Sequence, residues 1–273
     1  MKIALVQMNT KQDKEKNIKD IKNFIDEAAG NGAELVSLPE YCTYLGKDED
    51  KSKHAELIPD GETFKLLSNL AKKHSIFIHV GSILEEYSED KSYNTSFMVN
   101  PDGDMIGKYR KIHLFDIEIE GISKYMESNS IINGESPQIV DLPIGKAGLS
   151  ICYDMRFPEL YRGYALEGAK VLFIPAAFTR YTGMLHWELI LRARAVENQC
   201  FVIAAGQFGE NLPGKECYGS SMVVDPWGVV ISRASEGTGV IYANLDMSLV
   251  EKARTSIPSL QNRKPEYYKD LTK

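Results

Sequence analysis

Apolar runs typical of β-strands alternate with helical patterns through both halves of the chain. The pattern of residues 2–8 predicts a strand, and residues 13–30 carry apolar side chains at helical spacing and predict a helix. In the second half, residues 147–152 predict a strand and residues 158–167 a helix. Each half therefore predicts a sheet with helices on one face, and the fold class is α/β. Two such sheets packed face to face would form a four-layer α-β-β-α sandwich.

The C-terminal third predicts a β-meander and then a last helix, which starts near Leu249. The turn of the meander is Asp225-Pro-Trp-Gly228. Its strands would cover residues 221–224, 229–232 and 240–245. No low-complexity tract, linker or short-period repeat divides the sequence, so residues 1–273 are expected to form a single domain.

The charge balance argues against a polyanionic partner. The 273 residues include 32 Lys+Arg and 38 Asp+Glu, a formal charge of −6, so neither nucleic acid nor an anionic membrane is expected to bind. No apolar run reaches the length of a membrane span, and the sequence starts directly with a strand instead of a signal peptide. A cytoplasmic location is therefore expected.

One of the four cysteines, Cys152, ends a predicted strand and precedes a polar turn and a helix opened near Pro158. A thiol beside the free N–H groups of a helix start is well placed to act as a nucleophile. An inert buried cysteine fits the same position. Cys42, Cys200 and Cys217 are interpreted as packing residues, and the four show neither metal-binding spacing nor a disulfide framework. They fit a reducing compartment.

Two other charged residues follow predicted strands. Glu40 ends the run Glu34-Leu-Val-Ser-Leu-Pro-Glu40, and Lys111 lies in the basic cluster 109–113, after a hairpin predicted at Asn100-Pro-Asp-Gly103. Taken singly, they fit a solvated loop acid and a surface lysine. Taken with Cys152, they can converge where several strands meet one edge of a sheet.

These three motifs, in this order, resemble those of the nitrilase superfamily of carbon–nitrogen hydrolases, and the resemblance covers residues 2–268. It implies a Glu-Lys-Cys triad of Glu40, Lys111 and Cys152. Cys152 would be the nucleophile, Glu40 the proton shuttle and Lys111 the cation facing the oxyanion, with the backbone N–H of Tyr153 as a second donor. A neighbouring ammonium would raise the thiolate fraction of the cysteine. Neither a metal nor another cofactor is expected.

The resemblance also implies a role for Glu127, which would orient Lys111 and the substrate nitrogen. An exposed loop acid is the alternative. His113 lies two residues past Lys111, so both side chains would share a face if the strand continued. It is either a third titratable group at the site or a hydrogen-bonded structural histidine.

An arginine is expected to bind a substrate carboxylate, because its planar fork matches that group. Arg156 and Arg180 are the two candidates, although Arg156 could instead pair with Asp154 to fix the turn after the nucleophile. The residues expected to bind substrate are Arg156, Phe178, Thr179, Arg180, His186 and Trp187.

Residues 127–130, 192–200 and 218–228 resemble the Nit-type amidases, and the deaminated-glutathione amidase branch most of all. The expected reaction is hydrolysis of a small carboxylate-bearing ω-amide to acid plus ammonia through a cysteine thioester. The alternatives are an ω-amidase acting on α-ketoglutaramate or α-ketosuccinamate, a nitrilase or carbamoyl hydrolase, and a catalytically inactive binding module. Residues 183–187 and 206–216 depart from the branch pattern where a pocket rim is expected, and so leave the substrate open.

The resemblance further implies a homodimer or a higher homo-oligomer. Its contacts would come from the helix after Cys152 and from the tail 256–273, whose apolar side chains follow no strand or helix period.

Overall fold

The computed structural model describes residues 1–120 and 123–268. The last residues of the predicted tail, 269–273, lie outside the described part. The helices are α1 (Lys14–Gly30), α2 (Glu62–His74), α3 (Pro158–Leu166), α4 (Arg180–Asn198) and α5 (Ser248–Ser256). The short 3-10 helices cover Asp48–Asp50, Ser52–His54, Glu127–Asn129, Cys152–Arg156 and Pro265–Tyr267. The strands are β1 (Lys2–Gln7), β2 (Leu35–Ser37), β3 (Phe77–Glu86), β4 (Ser92–Val99), β5 (Met105–Arg110), β6 (Asp116–Ile119), β7 (Ser123–Met126), β8 (Ile131–Ile132), β9 (Gln138–Leu142), β10 (Gly145–Leu149), β11 (Val171–Phe173), β12 (Phe201–Ala204), β13 (Phe208–Leu212), β14 (Lys215–Tyr218), β15 (Met222–Val224), β16 (Val230–Arg233) and β17 (Gly239–Asn244).

The two large sheets have the same plan. The first runs in the order β17-β1-β2-β3-β4-β5, with β8 paired to β4, and the second in the order β16-β15-β12-β11-β10-β9. In each, three neighbouring parallel strands form the centre and antiparallel strands flank them. The predicted equivalence of the two halves is confirmed at the level of strand order.

The sheets pack face to face, with helices on their outer faces. Along β1 the side chains alternate, so Ile3 and Leu5 join the core between the sheets, whereas Ala4 and Val6 face α1 and α2. On the other side, α3 and α4 cover the second sheet. The aromatic rings of His79 and Phe173 lie 4.3 Å apart across the interface between the sheets. The predicted α-β-β-α sandwich is therefore confirmed.

The predicted C-terminal meander is wrong in its last strand. β15 and β16 pair in the second sheet, but β17 crosses to the first and pairs antiparallel with β1, from Lys2↔Asn244 to Gln7↔Gly239. The buried amide of Gln7 donates to the carbonyls of Ser235 and Gly237 and so holds the crossing segment. Apolar alternation identifies a strand but not the sheet it joins, which is why the sequence pattern suggested a meander.

Two small antiparallel hairpins, β6–β7 and β13–β14, stand apart from both sheets and were not predicted. Their strands are rich in polar residues, so no apolar run announces them. α4 also begins one turn earlier than the predicted residue 184. Within the described ranges, none of the helices combines the length and apolarity that crossing a bilayer requires.

Gly81 allows strand β3 to approach the segment that carries Glu40. A Cβ atom at this position would overlap the carbonyl oxygen of Leu38 and the backbone of Pro39. Two backbone hydrogen bonds hold the approach: Leu38 N–H to His79 O at 2.9 Å and Ser82 N–H to Pro39 O at 3.3 Å. The absence of a side chain at Gly81 thus fixes the position of Glu40.

We predict that Gly81→Ala lowers the free energy of unfolding by about 1–3 kcal/mol, because the added methyl group overpacks this contact. The matched control is Gly163→Ala, at an exposed site inside α3 with open space around it. This change should be neutral or stabilising by about 0.5–1 kcal/mol, since alanine favours helix over glycine. Urea titrations of the three proteins measure both effects. Equal stabilities for Gly81→Ala and wild type would contradict the proposed close approach.

Candidate active site

Glu40, Lys111 and Cys152 come together where strands β2, β5 and β10 end. The ammonium of Lys111 lies 2.8 Å from Oε1 of Glu40. The side chains of Lys111 and Glu40 are 1% and 2% exposed, and Cys152 as a whole is 7% exposed. The convergence follows from the sandwich, because each residue stands just beyond a strand that points to the same end of its sheet.

Glu127 completes the cluster and is not an exposed loop acid. It starts the 3-10 helix Glu127–Asn129 and its side chain is 1% exposed, with Oε2 lying 2.9 Å from Nζ of Lys111. Two further donors hold it: the hydroxyl of Tyr41 at 2.6 Å and the backbone N–H of Phe115 at 2.7 Å. Burial raises the pKa of Glu127, but Lys111 and then Lys51 outweigh burial and lower it to about 2. Glu127 is therefore a fixed anion at neutral pH.

Glu40 is oriented by the backbone and by an amide. Its Oε2 accepts from the N–H of Ala177 at 2.7 Å, and its Oε1 accepts from Nδ2 of Asn94 at 2.9 Å. The same Nδ2 of Asn94 lies 3.3 Å from Glu127, so one amide bridges both carboxylates. These contacts leave Glu40 fixed with one oxygen turned toward Lys111.

Lys111 is held between two carboxylates, which determines its charge. Burial lowers the pKa of the Lys111 ammonium, but Glu127 and Glu40 outweigh burial and raise it well above its ordinary value. Lys111 therefore carries a positive charge at neutral pH and cannot serve as a base.

Cys152 starts the 3-10 helix Cys152–Arg156 with φ = 49°, in the left-handed region, which costs a non-glycine residue about 1–3 kcal/mol. Its own N–H donates to the carbonyl of Pro175 at 2.8 Å. The N–H of Tyr153 makes no hydrogen bond to the residues that the structure describes. That group is therefore available to a ligand, as expected for an oxyanion donor.

The thiol of Cys152 is neutral at rest. Burial and then the carboxylate of Glu40 raise its pKa well above the ordinary value, and Lys111 opposes them only in part. Lys111 acts on the thiol in the expected direction, because its ammonium lowers the pKa of Cys152, but burial and Glu40 outweigh it and the thiolate fraction stays low. A nucleophilic reaction at this sulfur would therefore require a base that takes its proton.

A cavity of about 520 Å³ opens onto these groups. Of the predicted substrate-binding residues, Phe178, Thr179 and Arg180 line it. The two hairpins form much of its rim, which explains why several lining residues escaped the sequence analysis. Those residues are Ile117, Lys124, Tyr125, Leu212, Lys215 and Glu216.

The structure does not bring the other three predicted substrate-binding residues to the cavity. Trp187 is fully buried, donates from Nε1 to Ser220 O at 2.8 Å and lies behind Phe178, with ring centroids 5.2 Å apart. Arg156 approaches Nδ1 of His186 at 3.3 Å. These side chains support the wall from outside. Of the two arginines considered for a carboxylate, only Arg180 lines the cavity.

Asp154 pairs with residues around Lys111 and not with Arg156. Its Oδ1 lies 2.7 Å from Nδ1 of His113, and its Oδ2 accepts from the hydroxyl of Tyr109 at 2.7 Å. β5 ends before Lys111, so the predicted shared strand face of Lys111 and His113 does not form. His113 is a hydrogen-bonded structural residue, one of the two alternatives left open by the sequence.

The remaining cysteines differ in position. Cys42 and Cys200 are fully buried, whereas Cys217 lines the cavity, although it was predicted to be a packing residue. Burial, as the largest cause, raises the pKa of Cys42 and of Cys217 to about 12, so neither is an activated thiol. Across residues 1–120 and 123–268, no group of three His, Cys, Asp or Glu side chains is arranged to hold a metal ion.

The chain is similar to known proteins along most of its length. The carbon–nitrogen hydrolase family model matches residues 2–255. The NitFhit fusion protein of Caenorhabditis elegans is 41% identical over 97% of this chain, which spans 61% of that protein. The deaminated glutathione amidase of Bos taurus is 40% identical over 98% of this chain and 84% of its own length. The crystal structure of Saccharomyces cerevisiae Nit3, a member of branch 10 of the nitrilase superfamily, superposes with a TM-score of 0.86 at 38% identity over 94% of each chain.

The fold, the family match and these relatives agree. The chain belongs to the carbon–nitrogen hydrolase family of the nitrilase superfamily and is a hydrolase of carbon–nitrogen bonds other than peptide bonds.

Proposed function

We propose that this protein is an amidase that cleaves a carboxylate-bearing amide through a thioester on Cys152. The observation that carries the proposal is the buried ion cluster of Glu40, Lys111 and Glu127 beside a neutral thiol. Glu40 takes the proton from Sγ of Cys152 as the Sγ–C bond forms. The oxyanion of the tetrahedral intermediate is stabilised by the ammonium of Lys111 and the N–H of Tyr153.

Glu40 then donates the proton to the leaving nitrogen as the C–N bond breaks. In the second half of the reaction, Glu40 takes a proton from water, the water oxygen bonds to the acyl carbon, and the C–S bond breaks with return of the proton to the sulfur. Glu127 holds Lys111 in place and exchanges no proton, because its oxygens are occupied by Lys111, Tyr41 and the Phe115 N–H.

We propose deaminated glutathione, or an amide closely like it, as the substrate. The curated relative from Bos taurus carries that activity in its name, and a cavity of about 520 Å³ can hold a ligand of this size. The scissile amide of deaminated glutathione joins its oxo acid to the nitrogen of cysteine. The leaving group is therefore cysteinylglycine; the ammonia expected in the sequence analysis would come only from a primary ω-amide such as α-ketoglutaramate.

The cations on the cavity wall support an acidic substrate. Arg180 lines the wall but is already paired with Glu216 at 3.0 Å and lies 3.7 Å from Glu236. Lys215, on β14, lies 5.5 Å from the centre of the Tyr125 ring and has no acidic partner within 4.0 Å in the described part of the chain. We assign the carboxylate at the far end of the substrate to these two residues, and to Lys215 first.

We predict that Cys152→Ala abolishes turnover without loss of folding, because the nucleophilic sulfur is removed and little volume is lost. Cys217→Ala, which changes the other cavity thiol, should keep most of the activity. Mass spectrometry of wild type quenched during turnover should find the acyl group on Cys152. An adduct on Cys217, or full activity of Cys152→Ala, would exclude the proposed nucleophile.

We predict that Lys215→Ala raises KM for deaminated glutathione by about 10-fold and leaves KM for the neutral amide butyramide unchanged. Loss of one charge-assisted contact costs about 1.5–3 kcal/mol of binding free energy, and we expect the lower end of this range because Lys215 is exposed. Lys65→Ala on α2, far from the cavity, is the control and should alter neither value. Steady-state kinetics with both amides test the assignment, which is wrong if KM rises equally for both.

We further propose a homodimer. One face of α4 exposes Leu185, Leu189 and Val196. The turn at Gly228 is held against this helix, because Nε of Arg192 donates to the carbonyl of Gly228 at 2.8 Å. The exposed side chains on either side of that glycine, Trp227 and Val229, therefore extend the apolar face. We call these five side chains the α4 patch. Contiguous exposed apolar side chains of this kind favour burial against a partner. The contacts expected from the sequence, α3 and the tail, expose fewer large apolar residues in their described parts, namely Leu166, Ile257 and Tyr267.

We predict that light scattering gives wild type at least twice the mass of one chain at micromolar concentration, and that Leu189→Asp reduces the mass to that of one chain. A charge placed in the α4 patch would have to be buried without a partner. Leu57→Asp is the control, because Leu57 is similarly exposed outside the patch. A monomeric wild type would exclude the dimer, and dissociation of both variants would exclude this patch as its interface.

Two expectations stay proposals. A single domain spanning residues 1–273 is supported by the family match over residues 2–255 and by one core cluster drawn from both sheets. A cytoplasmic location is supported by the four free cysteines, because a thiol nucleophile needs reducing surroundings.

A further inference from the structure

Asp154 is a fully buried carboxylate that accepts four hydrogen bonds. Its Oδ1 accepts from the backbone N–H of His113 at 3.1 Å and from Nδ1 of the same residue at 2.7 Å. Its Oδ2 accepts from the hydroxyl of Tyr109 at 2.7 Å and from the N–H of Ile151 at 2.8 Å. Both oxygens are thus saturated with donors, which leaves Asp154 no free oxygen for a substrate.

The four donors belong to the two segments that carry the reacting groups. Tyr109 and His113 stand two residues before and two residues after Lys111, and Ile151 directly precedes Cys152. No regular strand pairing joins these segments, since β5 ends at Arg110 and β10 ends at Leu149 in different sheets. The side chain of Asp154 therefore connects one sheet to the other beside the site.

We propose that Asp154 is a positioning residue that fixes the distance between the ammonium of Lys111 and the sulfur of Cys152. The inference rests on the proposed function for its catalytic consequence, but the connection itself is independent of the substrate. A displacement of the order of 1 Å at an active site can cost about 100-fold in rate, so a rigid link has a clear kinetic value.

The chemistry of the four donors explains why aspartate is needed. An ionised carboxylate only accepts, whereas an asparagine amide brings two N–H groups of its own. Asparagine at this position would replace one accepting oxygen by an NH2 group, which would face two of the donors that now meet an acceptor. The ring of His113 is itself fixed in place, because it stacks on Phe157 with a centroid distance of 3.6 Å and an interplanar angle of 8°.

The first variant is Asp154→Asn, for which we expect kcat to fall by about 10–100-fold with KM changed less than threefold. Because Asp154 is buried, this variant also loses stability, so it is measured at a temperature where circular dichroism shows a native spectrum. The control is Glu56→Gln, which weakens the interaction of a partly buried carboxylate with the N-terminal turn of α2, where Glu56 accepts from the Thr63 N–H at 2.8 Å. The control should lose stability and keep kcat.

A milder pair keeps the test informative if Asp154→Asn does not fold. His113→Ala removes the Nδ1 donor, whereas His113→Asn presents an amide N–H at nearly the same place. We expect kcat to fall by about 10-fold in His113→Ala and to recover to within threefold of wild type in His113→Asn. If both substitutions lower kcat equally, or if neither lowers it, the positioning role is excluded.

A second readout does not require the substrate. Lys111 lowers the pKa of the Cys152 thiol, so displacement of Lys111 should slow alkylation of Cys152 by iodoacetamide at pH 8 by several-fold. We expect slower alkylation in Asp154→Asn and His113→Ala, and wild-type rates in His113→Asn and Glu56→Gln. Unchanged alkylation in the first two would overturn the inference. If alkylation behaves as expected but wild type hydrolyses no amide, the proposed function fails while the link stands.

Discussion

The site depends on a buried ammonium placed between two buried carboxylates. Moving isolated charges out of water costs several kcal/mol each, and a cluster of two anions and one cation keeps a net negative charge. The surrounding donors, which are Asn94, Tyr41 and the backbone N–H groups of Phe115 and Ala177, offset that cost by solvating the carboxylates in place of water. Removing any one partner would leave an uncompensated charge in the interior. The cluster therefore fixes the conformation of the loops that carry these residues, which the local loop sequences do not determine by themselves.

The same electrostatics sets the protonation state of Cys152. A lone ammonium beside a thiol would favour the thiolate, but burial and then the carboxylate of Glu40 outweigh Lys111 and raise the pKa of Cys152. The protein at rest therefore holds a neutral thiol, and in the proposed mechanism deprotonation accompanies attack on a bound amide. In this mechanism the cysteine would be weakly reactive in the free protein and would become reactive only in the complex with substrate.

Much of this could be predicted from the sequence, since Glu40, Lys111 and Cys152 each follow an apolar strand within a recognisable motif. Asn94 and Tyr41 could not be predicted in this way, because their roles arise from contacts between segments far apart in the chain. Trp187 was misplaced because an aromatic residue on a helix near the site fits a pocket wall and its supporting layer equally well. The rim hairpins were missed because polar strands held by backbone pairing leave no hydrophobic period. The pattern of apolar residues thus predicted the layers of the fold, whereas the shape of the pocket depends on contacts between segments that are distant in the sequence.

The crossing of β17 to the first sheet has a consequence for biosynthesis. β1 is synthesised well before its antiparallel neighbour, which spans Gly239–Asn244, more than two hundred residues later in the sequence. Until those residues are made, β1 therefore exposes an unpaired edge of N–H and C=O groups, a state prone to pairing with other chains. Contacts of such sequence separation also slow folding. The nascent first sheet thus stays open on one side until the C-terminal strand arrives, and an mRNA truncated before that point would encode an aggregation-prone product.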